Sequence, residues 1–244
     1  MAIAASPLAR KLGHFVAFSA IEESALTRLE AASAVVDRHQ ELVVEGTRNA
    51  DCFIVHSGWA ICFKLLSDGR RQIVNVILPG DFVGLRSLLL SLSNHSVIAL
   101  TKLRVSRFGG AELSQTMVDH PRVAVAVLWA LSRDEAIVVE HLVDIGRRNA
   151  LQRLAHFVLE LGERLKLVDL GSDQGYYCPL KQEDFADLLG LTAVHVNRSF
   201  RELRERQMTT LSQRNVRILD RESLVELAEF NDGYLNHREK PRFA

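Results

Sequence analysis

The apolar positions change period twice along the chain. From Glu41 to Phe108 they fall in short runs such as "CFIVHS", "WAICFKLL" and "RQIVNVIL", rich in β-branched and aromatic residues, which predict strands. Glycines punctuate these runs at 46, 58, 69 and 80, at steps of 12, 11 and 11, and "SDGR" at 67–70 reads as a hairpin turn. Several short strands at that interval predict a β-roll or jelly roll. Beyond residue 120 the period becomes helical. Ala124, Leu128, Leu131, Glu135, Val138, Leu142 and Ile145 follow alternating steps of 4 and 3, a heptad seam interrupted by one charge at Glu135. Val123, Val127, Ile137 and Val139 are apolar as well. Such a helix has one side for its own β domain and another for a second copy of the chain, so a homodimer is expected. "RRNALQRLAHFVLELGERL" at 147–165 reads as a second amphipathic helix, and Gly171, Ser172, Asp173 and Gly175 as a loop.

The stretch "KQEDFADLLGLTAVHVNRSFRELRER" at 181–206 has the parts of a helix-turn-helix. A first helix ends at Leu189, Gly190 suits the left-handed turn that stops it, and Thr192 caps the second helix. Ala186 is small where two crossing helices approach. Val196, Phe200 and Leu203, at i, i+4 and i+7, face inward. Val194, Arg198, Arg201 and Glu205 then point outward, with Asn197 and Arg204 on one flank and His195 and Glu202 on the other. Thr192, Val194, His195, Asn197 and Arg198 occupy the exposed start of a helix shaped for a major groove, and Arg201 lies one turn on. "TTLSQRNVRIL" at 209–219 reads as two strands about a turn, a wing whose Arg214 and Arg217 reach phosphates. Lys181 stands where the first helix wants a Ser, Thr or Asp cap, and Glu183 and Asp184 compensate through the helix dipole.

Charge sharpens this reading. Thirty basic residues balance thirty acidic ones over 244 residues, so a polyanion must be met by a local patch. Such a patch exists: between 192 and 217, Arg198, Arg201, Arg204, Arg206, Arg214 and Arg217 meet only Glu202 and Glu205. With 48% hydrophobic and 25% charged residues the composition is that of a globular protein. Cys52, Cys62 and Cys178 form neither a disulfide framework nor a metal motif, which suggests a reducing, cytoplasmic setting. No secretory signal opens the chain, and the longest uncharged run, 87–101, is too short for a bilayer, so no membrane partner is expected. No nucleophile, base and orienter recur at a recognisable spacing, and no Gly-rich phosphate loop follows a strand, so an enzyme is not expected.

Together with "GDFVG" at 80–84, these motifs resemble the Crp/Fnr family of bacterial transcription regulators over nearly the whole chain. The resemblance implies an α+β fold: a sensory β-roll over 1–120, a dimerisation helix over 121–146, a winged helix-turn-helix over 147–230 and a flexible tail, "NHREKPRFA" included, over 231–244. It implies a homodimer on a two-fold-related double-stranded DNA site, in contact with RNA polymerase. It also places an effector pocket at Gly84, Leu85, Arg86, His95 and Ser96. Cyclic-nucleotide-binding members carry a ribose-binding glutamate where this chain has Leu85, and a phosphate-binding arginine where it has His95. Arg86 is one position away and is expected to point elsewhere. No cofactor is therefore predicted: leucine accepts no hydrogen bond and a neutral histidine is a poor substitute for a guanidinium. No N-terminal cysteine cluster suits an iron–sulfur centre, whereas the nine histidines leave haem open. His14 and His56 read as surface or satisfied polar residues. Cys178 reads as a small buried hydrophobe or a redox handle. Many family members have glutamate in the place of Val194 and serine or glycine in the place of Asn197, so the half-site need not be the common one. Two alternatives stand beside the main reading: a regulator gated by another small molecule, haem or redox state, and an interaction module that has lost DNA binding.

Overall fold

Strands and helices occur where the apolar period changes. The computed structural model describes residues 6–48, 51–88, 90 and 92–235. Two compact units divide the described residues: one of those up to 64 together with 75–134, the other of 65–74 with 135–235. The elements of the first unit are α1 (Pro7–Gly13), α2 (Ala20–Leu29), β1 (Ser33–Val36), β2 (Glu41–Val43), β3 (Asp51–Ser57), β4 (Ala60–Leu65), β5 (Arg71–Ile77), β6 (Phe82–Val83), a 3₁₀ turn (Leu85–Leu88), β7 (Ser96–Ala99), β8 (Leu103–Gly109), α3 (Gly110–Asp119) and the first half of α4 (Pro121–Arg147). The tip of the β4–β5 hairpin and the second half of α4 belong to the other unit.

Two four-stranded sheets, ordered β1-β8-β3-β6 and β2-β7-β4-β5, make the β-roll. Val43, Val55, Ala60, Val97, Ala99 and Val105 fill its interior. The turn glycines 46, 58, 69 and 80 all have φ between 77° and 87°. At Gly58 the demand is absolute, because an added Cβ would sit 2.3 Å from the Lys102 carbonyl oxygen. Asp81 of "GDFVG" accepts from the Leu78 N–H at 2.9 Å and from the buried Lys11 ammonium at 2.5 Å, a motif residue with a structural task. Sequence reading supplied no helices before Glu41. The structure has two, and Ser19 and Glu22 close a full capping box on α2. Their buried faces join Phe108, Val123, Val127 and Trp129 in a second core cluster, with Phe15 stacked on Trp129 at 4.7 Å.

The second unit contains the rest of α4, α5 (Ala150–Lys166), β9 (Gly171–Ser172), β10 (Gly175–Tyr177), α6 (Gln182–Leu189), α7 (Ala193–Glu205), β11 (Thr209–Ser212), β12 (Asn215–Ile218), α8 (Arg221–Ala228) and a 3₁₀ turn (Asp232–Leu235). Three expectations need correction here. First, α5 begins at residue 150, where Asn149 interrupts the helical run by capping the Leu151 and Gln152 N–H groups at 3.0 Å. The helix is amphipathic as expected, but its polar face is interior: every residue from 154 to 165 is buried, charged ones included. Second, residues 171–175 are not an irregular loop. β9 and β10 extend the wing into a sheet ordered β11-β12-β10-β9, in which Gly175 lies so close to β12 that a Cβ would be 2.0 Å from the Val216 carbonyl oxygen. Third, the start of the expected flexible tail is docked, since Leu235 is fully buried and Tyr234 is hydrogen-bonded within the unit. The remainder, 236–244, lies outside the described residues. Among the described residues no helix is long and apolar enough to cross a membrane.

Candidate nucleic-acid interface

Local chemistry places α7. Gly190 ends α6 in the left-handed conformation, φ 64°, and its N–H returns to the Ala186 carbonyl. Asp184 accepts from the Lys181 N–H at 2.9 Å, so the third residue of α6 satisfies the N-cap backbone, although the Lys181 side chain can cap no first-turn N–H. The Thr192 hydroxyl accepts from the His195 N–H at 3.3 Å and starts α7. Val196, Ser199 and Leu203 are buried, while Phe200 meets Phe185 edge-on at 5.1 Å, which in turn meets Phe157 of α5 at 5.8 Å. The inward face is thereby pinned, and the opposite face is turned to solvent.

On that outer face Val194 is 76% exposed, and His195, Asn197, Arg198 and Arg201 are exposed beside it. Among the described residues no carboxylate pairs with Arg198. Arg201 meets Glu205 at 3.0 Å, an exposed i,i+4 pair worth about 0.3–0.5 kcal/mol, weak enough to yield to a phosphate. Asn197 donates to Gln182 of α6 at 3.4 Å. Gln213 and Arg214, both with positive φ, form the two-residue turn between β11 and β12 and put Arg214 at the wing tip. Arg217 is exposed on β12, opposite Thr210 and Gly175.

The residues placed in an effector pocket have other commitments. Leu85 is buried in the apolar cluster of the first unit. The Ser96 hydroxyl accepts from the Glu45 N–H at 3.0 Å, and Glu45 is ion-paired with Lys64. A His95 ring nitrogen contacts Asn94 Oδ1 at 2.8 Å, and burial, then the Arg86 charge, hold the imidazole below its ordinary pKa. His95 is therefore neutral at pH 7. Arg86 is exposed in the 3₁₀ turn at 85–88. With no ribose acceptor and no buried guanidinium at these positions, the residues do not fit a cyclic nucleotide. Burial also raises the three thiols, Cys52 to about 11 and Cys62 and Cys178 to about 12, so none is a reactive thiolate at neutral pH. His14 is exposed, and His56 shares a 2.7 Å hydrogen bond with Ser106. Among the described residues no group of His, Cys, Asp or Glu is arranged to hold a metal ion.

Sequence reading missed a buried polar cluster in the second unit. Glu160 of α5, with 0% exposure, receives His141 of α4 at 3.1 Å, Arg164 at 3.3 Å and the Tyr234 hydroxyl at 3.0 Å. The other ring nitrogen of His141 faces the Val74 carbonyl at 3.2 Å. The heptad seam has a different environment from the rest of α4. Ala124, Leu131 and Val138 are half-buried, while Leu128, Glu135, Leu142 and Ile145 are exposed, Leu142 by 70%.

Residues 34–120 match the cyclic nucleotide-binding domain family and residues 152–227 the Crp-like helix-turn-helix domain family. The nitrogen fixation regulation protein FixK of Rhizobium meliloti is 33% identical over 192 residues, spanning 77% of this chain and 83% of that protein. FixK of Bradyrhizobium diazoefficiens is 30% identical over 227 residues, spanning 88% and 94%. The structure of FixK2 from Bradyrhizobium japonicum matches with a TM-score of 0.73 at 25% identity, over 80% of this chain and 96% of that one. These relatives are transcription regulators, not enzymes. The β-roll, the long helix, the winged helix-turn-helix and the identity to FixK together make this chain a member of the Crp/Fnr family of DNA-binding transcription regulators.

Proposed function

We propose that the chain acts as a cytoplasmic homodimer, with one α7 from each copy in successive major grooves of a two-fold-related site and RNA polymerase as a further partner. The observation that carries this reading is the exposed row Val194, Asn197, Arg198 and Arg201, flanked by the wing-tip Arg214. Helices of this kind meet base edges with their N-terminal residues, while wing and flank cations meet phosphates. Thr192 and His195 at the helix start and Arg217 on the wing complete the set. Selection of binding sites from random duplexes is the direct test. It is expected to return two inverted half-sites centred about 34 Å apart, one helical turn. Recovery of a single half-site, or of no motif, opposes the proposal.

The second copy would dock along Ala124, Leu128, Leu131, Glu135, Val138, Leu142 and Ile145. An apolar row left in solvent on a long helix supports this, since covering it removes apolar area from water. Glu135 falls mid-seam, where two like charges would face each other across the two-fold axis. Glu135→Leu is expected to tighten the dimer. Sedimentation at micromolar protein checks both statements: a monomeric wild type contradicts the seam, and a looser dimer in the variant contradicts the role given to Glu135.

The misfit at Leu85 and His95 supports regulation without a cyclic nucleotide. Calorimetry on ligand-free protein is expected to show no tight binding of cyclic AMP or cyclic GMP. A low-micromolar dissociation constant that is lost in Arg86→Ala would mean that Arg86 supplies the phosphate contact instead.

A further inference from the structure

The tip of the β4–β5 hairpin, residues 65–74, belongs to the second unit and lies against α6. Arg71 spreads its guanidinium over two carboxylates one turn apart on that helix. Nη2 meets Asp184 Oδ1 at 2.9 Å, and Nε and Nη2 meet Asp187 Oδ2 at 2.8 and 2.7 Å. Beside it, Gln72 donates from Nε2 to the Leu188 carbonyl at 3.1 Å, in the last turn of α6, where carbonyls lack a partner in the helix. A groove runs from this contact to the start of α7, lined by Arg70, Arg71, Asp187, Gly190, Thr192 and His195. When a helix-turn-helix binds, the second helix enters the major groove and the first crosses the phosphate backbone. Asp184 and Asp187 thus carry two negative charges on the helix that crosses a polyanion, where like charge costs affinity.

We propose that Arg71 is a positioning residue for DNA binding: it neutralises Asp184 and Asp187 and holds α6 from outside the winged helix-turn-helix. The inference rests on the DNA reading above. It explains how α6 tolerates two acids on one face. A fork over two carboxylates suits arginine and not lysine, whose ammonium is a single point charge.

The test is fluorescence anisotropy with a duplex carrying the selected motif, at about 50 and about 200 mM salt. Arg71→Ala is expected to weaken binding roughly tenfold at the lower salt and less at the higher, because screening mutes uncompensated charge. Asp187→Asn alone leaves Arg71 with surplus positive charge and is expected to tighten binding about threefold. The double variant is expected to recover most of the Arg71→Ala loss. Absence of rescue would mean that Arg71 touches phosphate directly or matters for other reasons, and overturns the proposal. Unchanged affinity in Asp187→Asn overturns it too, and does so even if Arg71→Ala fails to fold. If the wild type itself selects no motif, the DNA reading fails. If the wild type binds and folded Arg71→Ala binds equally well, only the role of Arg71 fails.

Discussion

Glu160→Gln is expected to remove about 3–5 kcal/mol of folding stability at neutral pH, because it strips the shared partner from a buried charged cluster. Each Glu160 oxygen accepts twice: Oε1 from His141 and Arg164, Oε2 from His141 and Tyr234. A glutamine offers one acceptor oxygen and turns an NH₂ group toward donors. Both His141 ring nitrogens face acceptors, the Val74 carbonyl and the Glu160 carboxylate, so the ring satisfies both only as imidazolium. Burial works against that charge, but Glu160 outweighs it and raises the His141 pKa, with Arg164 opposing and Val74 assisting. Burial likewise works against the Glu160 carboxylate, and His141, Arg164 and His156 outweigh it and lower its pKa. The sign follows from linkage. The histidine contribution is fully present below the ordinary imidazole value, about 6.5, and is lost as pH rises through the raised folded value. The glutamate contribution is present above about 4.5 and is lost as pH falls through the depressed one. Urea midpoints across pH 4.5 to about 9 in wild type and variant are the measurement. The wild type is expected to lose stability on the alkaline side, and the variant to be weaker throughout with that slope removed. Parallel pH profiles would show that His141 does not titrate against Glu160.

That cluster also shows where sequence reading stopped. His156, Glu160 and Arg164 recur at i, i+4 and i+8, so a periodicity argument assigns them to a solvent face and makes α5 amphipathic. The face is interior, because their partners arrive from α4 and from the 3₁₀ turn at 232–235, 19 and 74 residues from Glu160 in sequence. Polarity is visible in one segment, whereas pairing needs two. The same limit hid Arg71, whose partners are 113 and 116 residues away. What was legible was local. The glycine steps marked left-handed turns, the stop at Gly190 and the Thr192 cap fixed α6 and α7, and the i, i+4, i+7 spacing oriented α7. The helices before Glu41 were legible in part, since Ser19-x-x-Glu22 is a capping-box spacing that weak apolar periodicity in short helices concealed.

Arg198→Ala is expected to cost about 1–3 kcal/mol of specific DNA binding and to relax base preference at one position in each half-site. Arg198 lies opposite the buried Val196 and Leu203, in the first half of α7, with Val194 exposed one turn before it. A guanidinium so placed can fork onto guanine O6 and N7, while Val194 covers a neighbouring thymine methyl. Among the described residues no carboxylate competes for Arg198, in contrast to Arg201, which is held by Glu205. Arg214 is exposed at the wing tip, in the turn between β11 and β12 and outside the helix that would read the bases. Arg214→Ala is therefore expected to weaken binding to all sequences alike and to lower the salt slope by about one unit. Binding-site selection on both variants, repeated at two salt concentrations, separates the two roles. A wild-type motif at every position in Arg198→Ala would reassign that residue to a phosphate. A motif change in Arg214→Ala would move the wing from backbone contact to base reading.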